Sequence, residues 1–311
     1  MDSWTPAVIP DLKGKVAVVT GANSGLGYYT ALELGRHGAQ VLLACRSREK
    51  TEAAIAAMRQ AAPAAQLEYL ALDLADLDSV RACAAALKSR FKRIDLLLNN
   101  AGVMALPLAR TRQGFEMQIG TNHLGHFALT GLLLELLRST PGARIVNTAS
   151  LAHTWTRGMD LADLNWERKP YKKWDAYGKT KLSNLLFTYE LQRRLERTQA
   201  AAISVAAHPG YANTNLQFAG PAMEKSAVGR FVMWVGNSLF AQSAAMGAYP
   251  QLYAATAPDV RGGEYFGPDG FGQQRGHPKK VGSNRASRDE AVARQLWELS
   301  ERLTGVAWLS G

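Results

Sequence analysis

The sequence predicts an α/β protein, built as one doubly wound domain over residues 1–311. Short apolar, often β-branched runs alternate with segments of helical periodicity. Runs such as Lys15–Thr20 and Gln40–Cys45 are apolar almost throughout, as in parallel strands buried on both faces. No linker rich in Pro, Gly or Ser divides the chain. Right-handed crossovers would then place helices on both faces of one parallel sheet of about seven strands.

Each element follows from its local pattern along the chain. Apolar runs predict the strands, and periodic segments that end near Gly or Pro predict the helices. The predicted strands are Lys15–Thr20, Gln40–Cys45, Gln66–Leu72, Ile94–Leu98, Arg144–Thr148, Ala202–Ala207 and Gly263–Phe266. The predicted helices are Gly25–His37, Arg48–Ala62, Ser79–Arg90, Phe115–Arg138, Lys173–Arg197 and Arg288–Leu303.

One insertion interrupts the alternation. Residues 215–250 follow the sixth predicted strand, where a doubly wound fold places its binding loops. We therefore predict a substrate-covering lid there. Its apolar side chains would supply the cover: Phe231, Met233, Trp234, Leu239 and Phe240.

The formal net charge of +10 favours anionic partners, but the basic residues are scattered and no nucleic-acid motif is present. We predict no nucleic-acid partner, and a membrane surface is a possible partner but not an expected one. The uncharged stretch Phe231–Pro258 is broken by Gly, Pro and polar residues, so it does not predict a membrane span. Cys45 and Cys83 are too few for a disulfide framework, which fits a reducing, cytoplasmic compartment.

No metal site is predicted. His123 and His126 lie three residues apart on a predicted helix, but no third ligand stands nearby in sequence. A protein metal site usually needs three or four ligands. Packing is therefore the better interpretation of this histidine pair.

A glycine-rich turn directly follows the first strand. Thr20–Gly27 reads TGANSGLG, with the spacing Gly-x-x-x-Gly-x-Gly rather than Gly-x-Gly-x-x-Gly. Glycines let the backbone approach a pyrophosphate, and the next helix offers free N–H groups and the positive end of its dipole. The turn predicts dinucleotide binding on a Rossmann fold. The predicted contacts are Gly21, Asn23, Ser24, Gly25, Leu26 and Gly27.

The end of the second strand predicts which dinucleotide binds. NAD enzymes place an acid there, whereas an Arg accommodates the 2′-phosphate of NADP. Arg46 follows Cys45, so we predict NADP(H), with Ser47 assisting. These residues could instead be an ordinary helix start. Asp73 and Leu74, after the third strand, are also predicted cofactor contacts. Asp73 could contact the adenine or serve the next helix as an N-terminal acid.

Tyr177 and Lys181 lie four residues apart on a predicted helix and therefore share one face. An ammonium nearby favours a phenolate, so Lys181 is expected to lower the tyrosine pKa. A phenol tuned in this way exchanges protons with an alcohol or carbonyl oxygen. Such a pair also occurs by chance on helix surfaces, so it gains meaning only with the residues around it.

Further polar residues follow the other strands. Ser150 comes after the fifth strand, and Asn122 lies inside a predicted helix, where Asn is unfavourable. The turn after the fourth strand reads as a cofactor contact, as do residues after the sixth. These predicted contacts are Asn100, Ala101, Gly102, Pro209, Gly210 and Thr214.

Taken in order, these motifs resemble the short-chain dehydrogenase/reductase family. The stretches Asn122–Phe127 and Ser183–Phe187 resemble its retinol dehydrogenase-like branch, which includes relatives of protochlorophyllide reductase, and Tyr265–Gly270 fits bacterial members. The longer gap between Ser150 and Tyr177 is similar to an insertion in that branch.

The resemblance implies hydride transfer between NADP(H) and a lipophilic carbonyl or alcohol, without a metal. Tyr177 would be the acid–base, Lys181 would hold the nicotinamide ribose and Ser150 would orient the substrate oxygen. Asn122 would hold a water in a relay to Lys181. A homo-oligomer is also implied as possible. A catalytically idle NADP(H) sensor and a peripheral membrane protein remain as alternatives.

Overall fold

The computed structural model describes residues 3–212 and 242–308. They form the predicted α/β fold around one eight-stranded sheet, in the order β3-β2-β1-β4-β5-β6-β7-β8. All neighbours are parallel except β7 and β8. The strands are β1 Val16–Thr20, β2 Gln40–Cys45, β3 Gln66–Ala71, β4 Leu96–Asn99, β5 Arg144–Thr148, β6 Ile203–Ala207, β7 Tyr265–Pro268 and β8 Pro278–Lys280.

Helices cover both faces of the sheet because successive side chains of its strands point in opposite directions. Val18 and Leu42 pack into one core and Val19 and Leu43 into the other. The helices are α1 Gly25–Arg36, α2 Arg48–Ala61, α3 Leu77–Arg90, α4 Met117–Ile119, α5 Gly125–Leu132, α6 Leu134–Arg138, α7 Lys173–Arg197, α8 Ala244–Gly247, α9 Tyr249–Thr256 and α10 Glu290–Thr304.

The direction of winding reverses between β1 and β4, which are neighbours in the sheet. Loops that leave the carboxyl ends of strands at such a switch point diverge and open a crevice. The glycine-rich turn after β1 and the turn after β4 therefore meet at this edge. The fold itself therefore brings the predicted cofactor residues of these two turns together.

The single long helix predicted from Phe115 to Arg138 is wrong in detail. A π-helical turn, Gly120–Leu124, separates α4 from α5, and a bend at Leu133 separates α5 from α6. Gly125 packs so tightly that an added Cβ would lie 2.5 Å from the carbonyl oxygen of Leu74. Hydrophobic periodicity alone does not register this local unwinding, which depends on tertiary contact.

The eighth strand was not predicted. Pro278–Lys280 pairs antiparallel with β7, for example Phe266 with Lys280. Its proline and lysines give no apolar run, because an edge strand is not buried on two faces. The pattern of two-sided burial that revealed the inner strands is absent here.

The described end of the predicted lid is packed against the domain. Gln242 is buried, and its side-chain amide donates to the Pro209 carbonyl oxygen at 2.6 Å. Ala248, between α8 and α9, is fully buried. The remainder of the predicted lid, residues 215–241, lies outside the described residues, so its covering role stays a prediction. Within the described ranges, no helix combines the length and apolar character needed to cross a membrane.

Candidate active site

One cavity of about 800 Å³ opens at the carboxyl ends of β1, β4, β5 and β6. It has a glycine-rich end beside β1 and β4 and an end with hydroxyl, amine and aromatic side chains beside β5 and α7. Most of the predicted site residues line it: Gly21, Asn23, Ser24, Gly25, Leu26, Gly27, Asn100, Ala101, Gly102, Ser150, Tyr177, Lys181, Pro209 and Gly210.

The glycine-rich end is shaped by the absence of side chains. Gly21 has φ +64°, and a Cβ there would lie 2.9 Å from the Cβ of Ala101. A Cβ on Gly27 would lie 2.5 Å from the carbonyl oxygen of Gly21 and 2.6 Å from Asn100 Nδ2. Only glycine lets these three segments approach each other.

The first turn of α1 faces this end of the cavity. Ser24 is the N-cap residue, but its side chain makes no capping hydrogen bond. The N–H groups of a helix's first turn lack intrahelical partners and attract anions, so they are available to a phosphate. A pyrophosphate therefore fits the space that the glycines leave.

The turn after β4 is tied to the end of β1. Thr20 Oγ1 accepts from the backbone N–H groups of Asn100 and Ala101, both at 2.9 Å. Asn100 Nδ2 donates to the Thr20 carbonyl oxygen at 2.8 Å. Asn100 Oδ1 is buried and has no hydrogen-bond partner among the described residues, so it can accept from a bound molecule. The glycine-rich turn Gly21–Gly27, called the glycine cradle below, and this free acceptor are both suited to a bound dinucleotide.

The end of β2 presents two arginines with different surroundings. Ser47 is the N-cap of α2, its Oγ accepting from the Lys50 N–H at 3.3 Å. The Arg48 guanidinium lies 4.5 Å from the centre of the Tyr69 ring and pairs with Glu52 at 3.6 Å. Arg46 is exposed and has no ion pair or hydrogen bond within the described part of the chain. Neither Arg46 nor Ser47 lines the cavity itself.

Asp73 and Leu74 lie outside the cavity lining. Asp73 Oδ1 accepts from the Ala75 N–H at 3.0 Å, whereas the N-cap of α3 is Asp76. The Asp73 carboxylate therefore stabilises the turn before α3, which is closer to the interpretation as an N-terminal acid than to an adenine contact. Leu74 is buried against α5.

The other end of the cavity is built from β5 and α7. Ser150 follows β5 and caps a 3₁₀ turn, Leu151–Trp155, its Oγ accepting from the Ala152 N–H at 3.1 Å. Tyr177 and Lys181 lie one turn apart on α7, and both are buried. Lys181 Nζ donates to the Thr148 carbonyl oxygen at 3.0 Å and lies 5.6 Å from the centre of the Tyr177 ring.

The pKa values differ from the expectation for Tyr177. Burial raises the pKa of Tyr177 to about 12, and a hydrogen bond with Ser150 opposes this rise only in part. Burial lowers the pKa of Lys181 to about 8, since a charged amine is costly inside a protein. The expected lowering of the tyrosine pKa by Lys181 was therefore wrong for this structure, and the phenol holds its proton at neutral pH.

Asn122 lies in the π-helical turn beside the cavity. Its Oδ1 accepts from the Val103 N–H at 2.7 Å, and its Nδ2 donates to the Val103 carbonyl oxygen and to Thr180 Oγ1. The side chain thus fixes the loop after β4 against α7. Its side-chain amide is committed in this way and its backbone carbonyl oxygen lies 3.1 Å from His126 Nδ1, so a water relay through Asn122 stays a prediction.

Comparison with known proteins identifies the family. A family model for short chain dehydrogenases matches residues 15–162. Retinol dehydrogenase 13 of Homo sapiens is 42% identical over 307 residues, covering 96% of this chain and 86% of that protein. Retinol dehydrogenase 14 of Mus musculus is 41% identical, covering 95% and 87%. The chain is a short-chain dehydrogenase of the retinol dehydrogenase-like branch.

Solved structures agree with this assignment. An uncharacterised protein from Mycobacterium paratuberculosis superposes with a TM-score of 0.81 at 44% identity, covering 99% of this chain and 100% of that one. A complex of Pseudomonas aeruginosa RhlG with NADP superposes with a TM-score of 0.63 at 21% identity, covering 82% and 94%, and so shares the fold. As a member of this family, the protein is an oxidoreductase of alcohol and carbonyl groups that uses NAD(P)(H).

Sequence reasoning discounted His126, which has a definite position in this dehydrogenase. Its Nδ1 lies 3.1 Å from the Asn122 carbonyl oxygen and its Nε2 lies 2.9 Å from Thr20 Oγ1. A carbonyl only accepts, so Nδ1 carries the proton and the threonine hydroxyl donates to Nε2. Burial lowers the pKa of His126 to about 4, which keeps this arrangement neutral. The histidine joins the end of β1 to the Asn122 backbone.

A second histidine, His153, holds Ser150 in the same manner. Its Nδ1 donates to the Ser150 carbonyl oxygen at 2.6 Å, and its Nε2 accepts from the Asn284 N–H at 3.3 Å. The side chain of Asn284 donates back to the His153 carbonyl oxygen at 2.8 Å. Its place three residues after Ser150 is the only sequence signal, and it does not reveal the distant partner.

The side chains of His123 and His126 have separate protein partners. His123 Nε2 lies 2.9 Å from Ser300 Oγ, and burial lowers the pKa of His123 to about 3. Within residues 3–212 and 242–308, no group of three His, Cys, Asp or Glu side chains is placed to hold a metal ion. The packing interpretation agrees with these contacts. Thr214, the last predicted cofactor contact, lies outside the described residues.

Proposed function

We propose that this dehydrogenase transfers hydride between NADP(H) and an apolar carbonyl compound or its alcohol. The observation that supports this most directly is that one cavity contains both a candidate nucleotide-binding turn and a candidate catalytic group. The glycine cradle lies at one end, and Ser150, Tyr177 and Lys181 lie at the other. The glycine cradle would hold the phosphates of a dinucleotide, whose nicotinamide would supply hydride chemistry at the end of the cavity that holds Tyr177.

In this proposal the residues at the catalytic end act on the substrate oxygen. The bound nicotinamide supplies hydride to the carbonyl carbon in reduction. Tyr177 gives its proton to the carbonyl oxygen, and the Ser150 hydroxyl donates a hydrogen bond to the same oxygen. Lys181 provides a positive charge that stabilises the phenolate left behind and contacts the nicotinamide ribose. Asn122 is proposed to hold a water in a relay to Lys181, through which the tyrosine–lysine pair regains a proton.

The pKa of Tyr177 favours reduction. A phenol with a pKa of about 12 is protonated at neutral pH and so is ready to donate. Oxidation of an alcohol needs the phenolate, which burial disfavours here. Burial thus keeps the phenol in the protonation state that carbonyl reduction uses.

The preference for NADP(H) rests on the difference between Arg46 and Arg48. Arg48 is engaged by Tyr69 and Glu52, whereas Arg46 has no partner among the described residues. A guanidinium at the end of β2 binds a 2′-phosphate in two-pronged fashion. Arg46 is thus the proposed determinant, and Ser47 contributes mainly as the N-cap.

The test follows the absorbance of NADPH or NADH during reduction of aliphatic and aromatic aldehydes and ketones. We expect turnover with NADPH, and Arg46→Ala should raise KM for NADPH roughly tenfold or more while leaving that for NADH unchanged. Arg48→Ala is the matched control and should change neither. Turnover with NADH alone would overturn the cofactor proposal. Tight NADPH binding without turnover of any carbonyl would favour the idle sensor.

The cytoplasmic location, the absence of a nucleic-acid partner and a homo-oligomer stay predictions. Sedimentation with anionic vesicles decides the remaining alternative, a peripheral membrane protein. Pelleting of the protein would support that alternative, because the net charge of +10 would attract such a surface.

A further inference from the structure

Two exposed tryptophans stand at the catalytic end of the cavity. Trp155 is 60% exposed and Trp174 is 43% exposed, and both line the same cavity as Tyr177. Within the described residues, Phe271 is the only other large aromatic side chain with comparable exposure, and it does not line the cavity. Exposed tryptophan gathered at a cavity is typical of a binding surface.

Local structure couples each tryptophan to a catalytic candidate. Trp174 lies three residues before Tyr177 on α7 and shares its face of the helix. Trp155 ends the 3₁₀ turn that Ser150 begins. The hydroxyl groups of Ser150 and Tyr177 and the two indole rings thus lie on the same two elements. A substrate whose oxygen contacts Tyr177 would therefore lie close to both tryptophans.

The two indoles also contact each other. Their ring centres lie 5.9 Å apart with planes inclined by 71°, and the rings of Trp174 and Tyr177 lie 6.5 Å apart at 83°. Aromatic rings in contact favour edge-to-face arrangements of this kind. The rings of Tyr177, Trp174 and Trp155 thus form an aromatic wall of the cavity that runs from Tyr177 to the solvent-exposed Trp155.

The rest of the lining limits the chemistry of the occupant. Met104, Leu151 and Ala152 add apolar atoms at this end. Among the described lining residues, Lys181 is the only one with a charged side chain, and it is buried behind Tyr177. An occupant with its own charge would find no exposed countercharge in this lining, whereas a flat apolar group gains contact along the wall.

We infer that Trp155 and Trp174 form a subsite for a planar ring system attached directly to the reacting carbonyl. This inference rests on the proposed carbonyl reduction and adds to it a substrate class: neutral carbonyl compounds with a fused or conjugated ring next to the C=O group. The ring stacks along the indoles while the carbonyl oxygen reaches Ser150 and Tyr177.

The experiment compares 2-naphthaldehyde with propanal as substrates of the wild type, Trp155→Ala, Trp174→Ala and the double variant. We expect kcat/KM for 2-naphthaldehyde to fall roughly tenfold to a hundredfold more than kcat/KM for propanal, as when an aromatic contact is truncated. Most of the loss should appear in KM. Trp155→Phe and Trp174→Phe keep a ring and should recover most of the selectivity.

Phe271→Ala is the matched control, because it removes an exposed aromatic ring away from the cavity and should leave both substrates unaffected. Equal losses for both aldehydes in the tryptophan variants, or no loss for either, would overturn the subsite.

A binding measurement separates this inference from the proposed function. Should the wild type reduce neither these aldehydes nor any other carbonyl compound of the panel, the hydride-transfer proposal fails, and calorimetric titration with 2-naphthylmethanol decides the subsite. Binding that is lost in the double variant and kept in Phe271→Ala supports the subsite. No binding to the wild type, or equal binding to all variants, refutes it.

Discussion

The two ends of the cavity achieve a defined shape by opposite means. The nucleotide end depends on missing side chains, since a Cβ on Gly21 or Gly27 would collide with backbone or with the neighbouring turn. The catalytic end depends on buried polar side chains with assigned partners, such as Lys181 on the Thr148 carbonyl oxygen. Adding an atom should therefore harm the first end, and removing a group should harm the second.

The largest effect is expected from Tyr177→Phe at the catalytic end. The variant keeps the ring but removes the proton donor, so kcat for aldehyde reduction should fall roughly 10²- to 10⁴-fold. The affinity for NADPH, measured by fluorescence titration, should change little because the glycine cradle is untouched. Retained turnover would show that another group donates the proton.

At the nucleotide end, Gly27→Ala adds one carbon atom. Since the new Cβ would lie 2.5 Å from the Gly21 carbonyl oxygen, the turn must shift, and the Kd for NADPH should rise on the order of tenfold or more. Gly158→Ala is the control, because no heavy atom lies within 4 Å of the added carbon. Equal nucleotide affinity in the two variants would argue against a cradle shaped by close approach.

A smaller effect is expected where a side chain positions a catalytic group without touching substrate. His153→Phe leaves the Ser150 carbonyl and the Asn284 N–H without the imidazole, so kcat should fall several-fold, roughly 1 kcal/mol for a lost hydrogen bond. KM for the carbonyl substrate should change less than kcat.

His153→Gln serves as the rescue variant, because its amide offers one donor and one acceptor. Recovery of kcat in the glutamine variant would support positioning through the two hydrogen bonds. Retained kcat in the phenylalanine variant with a loss in the glutamine variant would indicate that only the ring's packing against Tyr265 counts.

The smallest effect near neutral pH concerns the proton of Lys181. With a pKa of about 8, the buried amine loses its charge above that pH, so kcat/KM for reduction should drop to about half at pH 8 and decline further above it. The stability of the folded protein should instead increase with pH over part of this range. The unfolded lysine keeps its proton to about 10.5, so the unfolding free energy rises with pH between 8 and 10.5.

Denaturant titrations across this pH range, with Lys181→Met beside the wild type, measure the second trend. The variant lacks the ionising group, so the difference between the two proteins should depend on pH only within that window. A difference that is constant from pH 7 to 11 would mean that the amine is not desolvated.

The sequence predicted the helix Lys173–Arg197 to the residue, and most strand ends to within two residues. It also placed the glycine turn, Ser150, Tyr177 and Lys181 correctly relative to strands and helices. These predictions succeed because backbone approach, strand burial and helical spacing are local properties that leave a pattern in the chain. The cofactor and catalytic roles of these residues remain proposals that the variants above can test.

The sequence did not predict the rise in the Tyr177 pKa, because burial is a property of the assembled fold. It also missed the hydrogen bonds of His126 and His153, whose partners Thr20 and Asn284 lie over a hundred residues away. The subsite of Trp155 and Trp174 arises where two elements meet.

The sequence by itself thus determined which elements form and which chemical groups stand at their ends, since both follow from local periodicity and spacing. The tertiary structure decided which distant groups touch and how far water is excluded. It therefore set the protonation of Tyr177, Lys181 and the buried histidines, because desolvation and long-range hydrogen bonds exist only once the two faces of the sheet are covered.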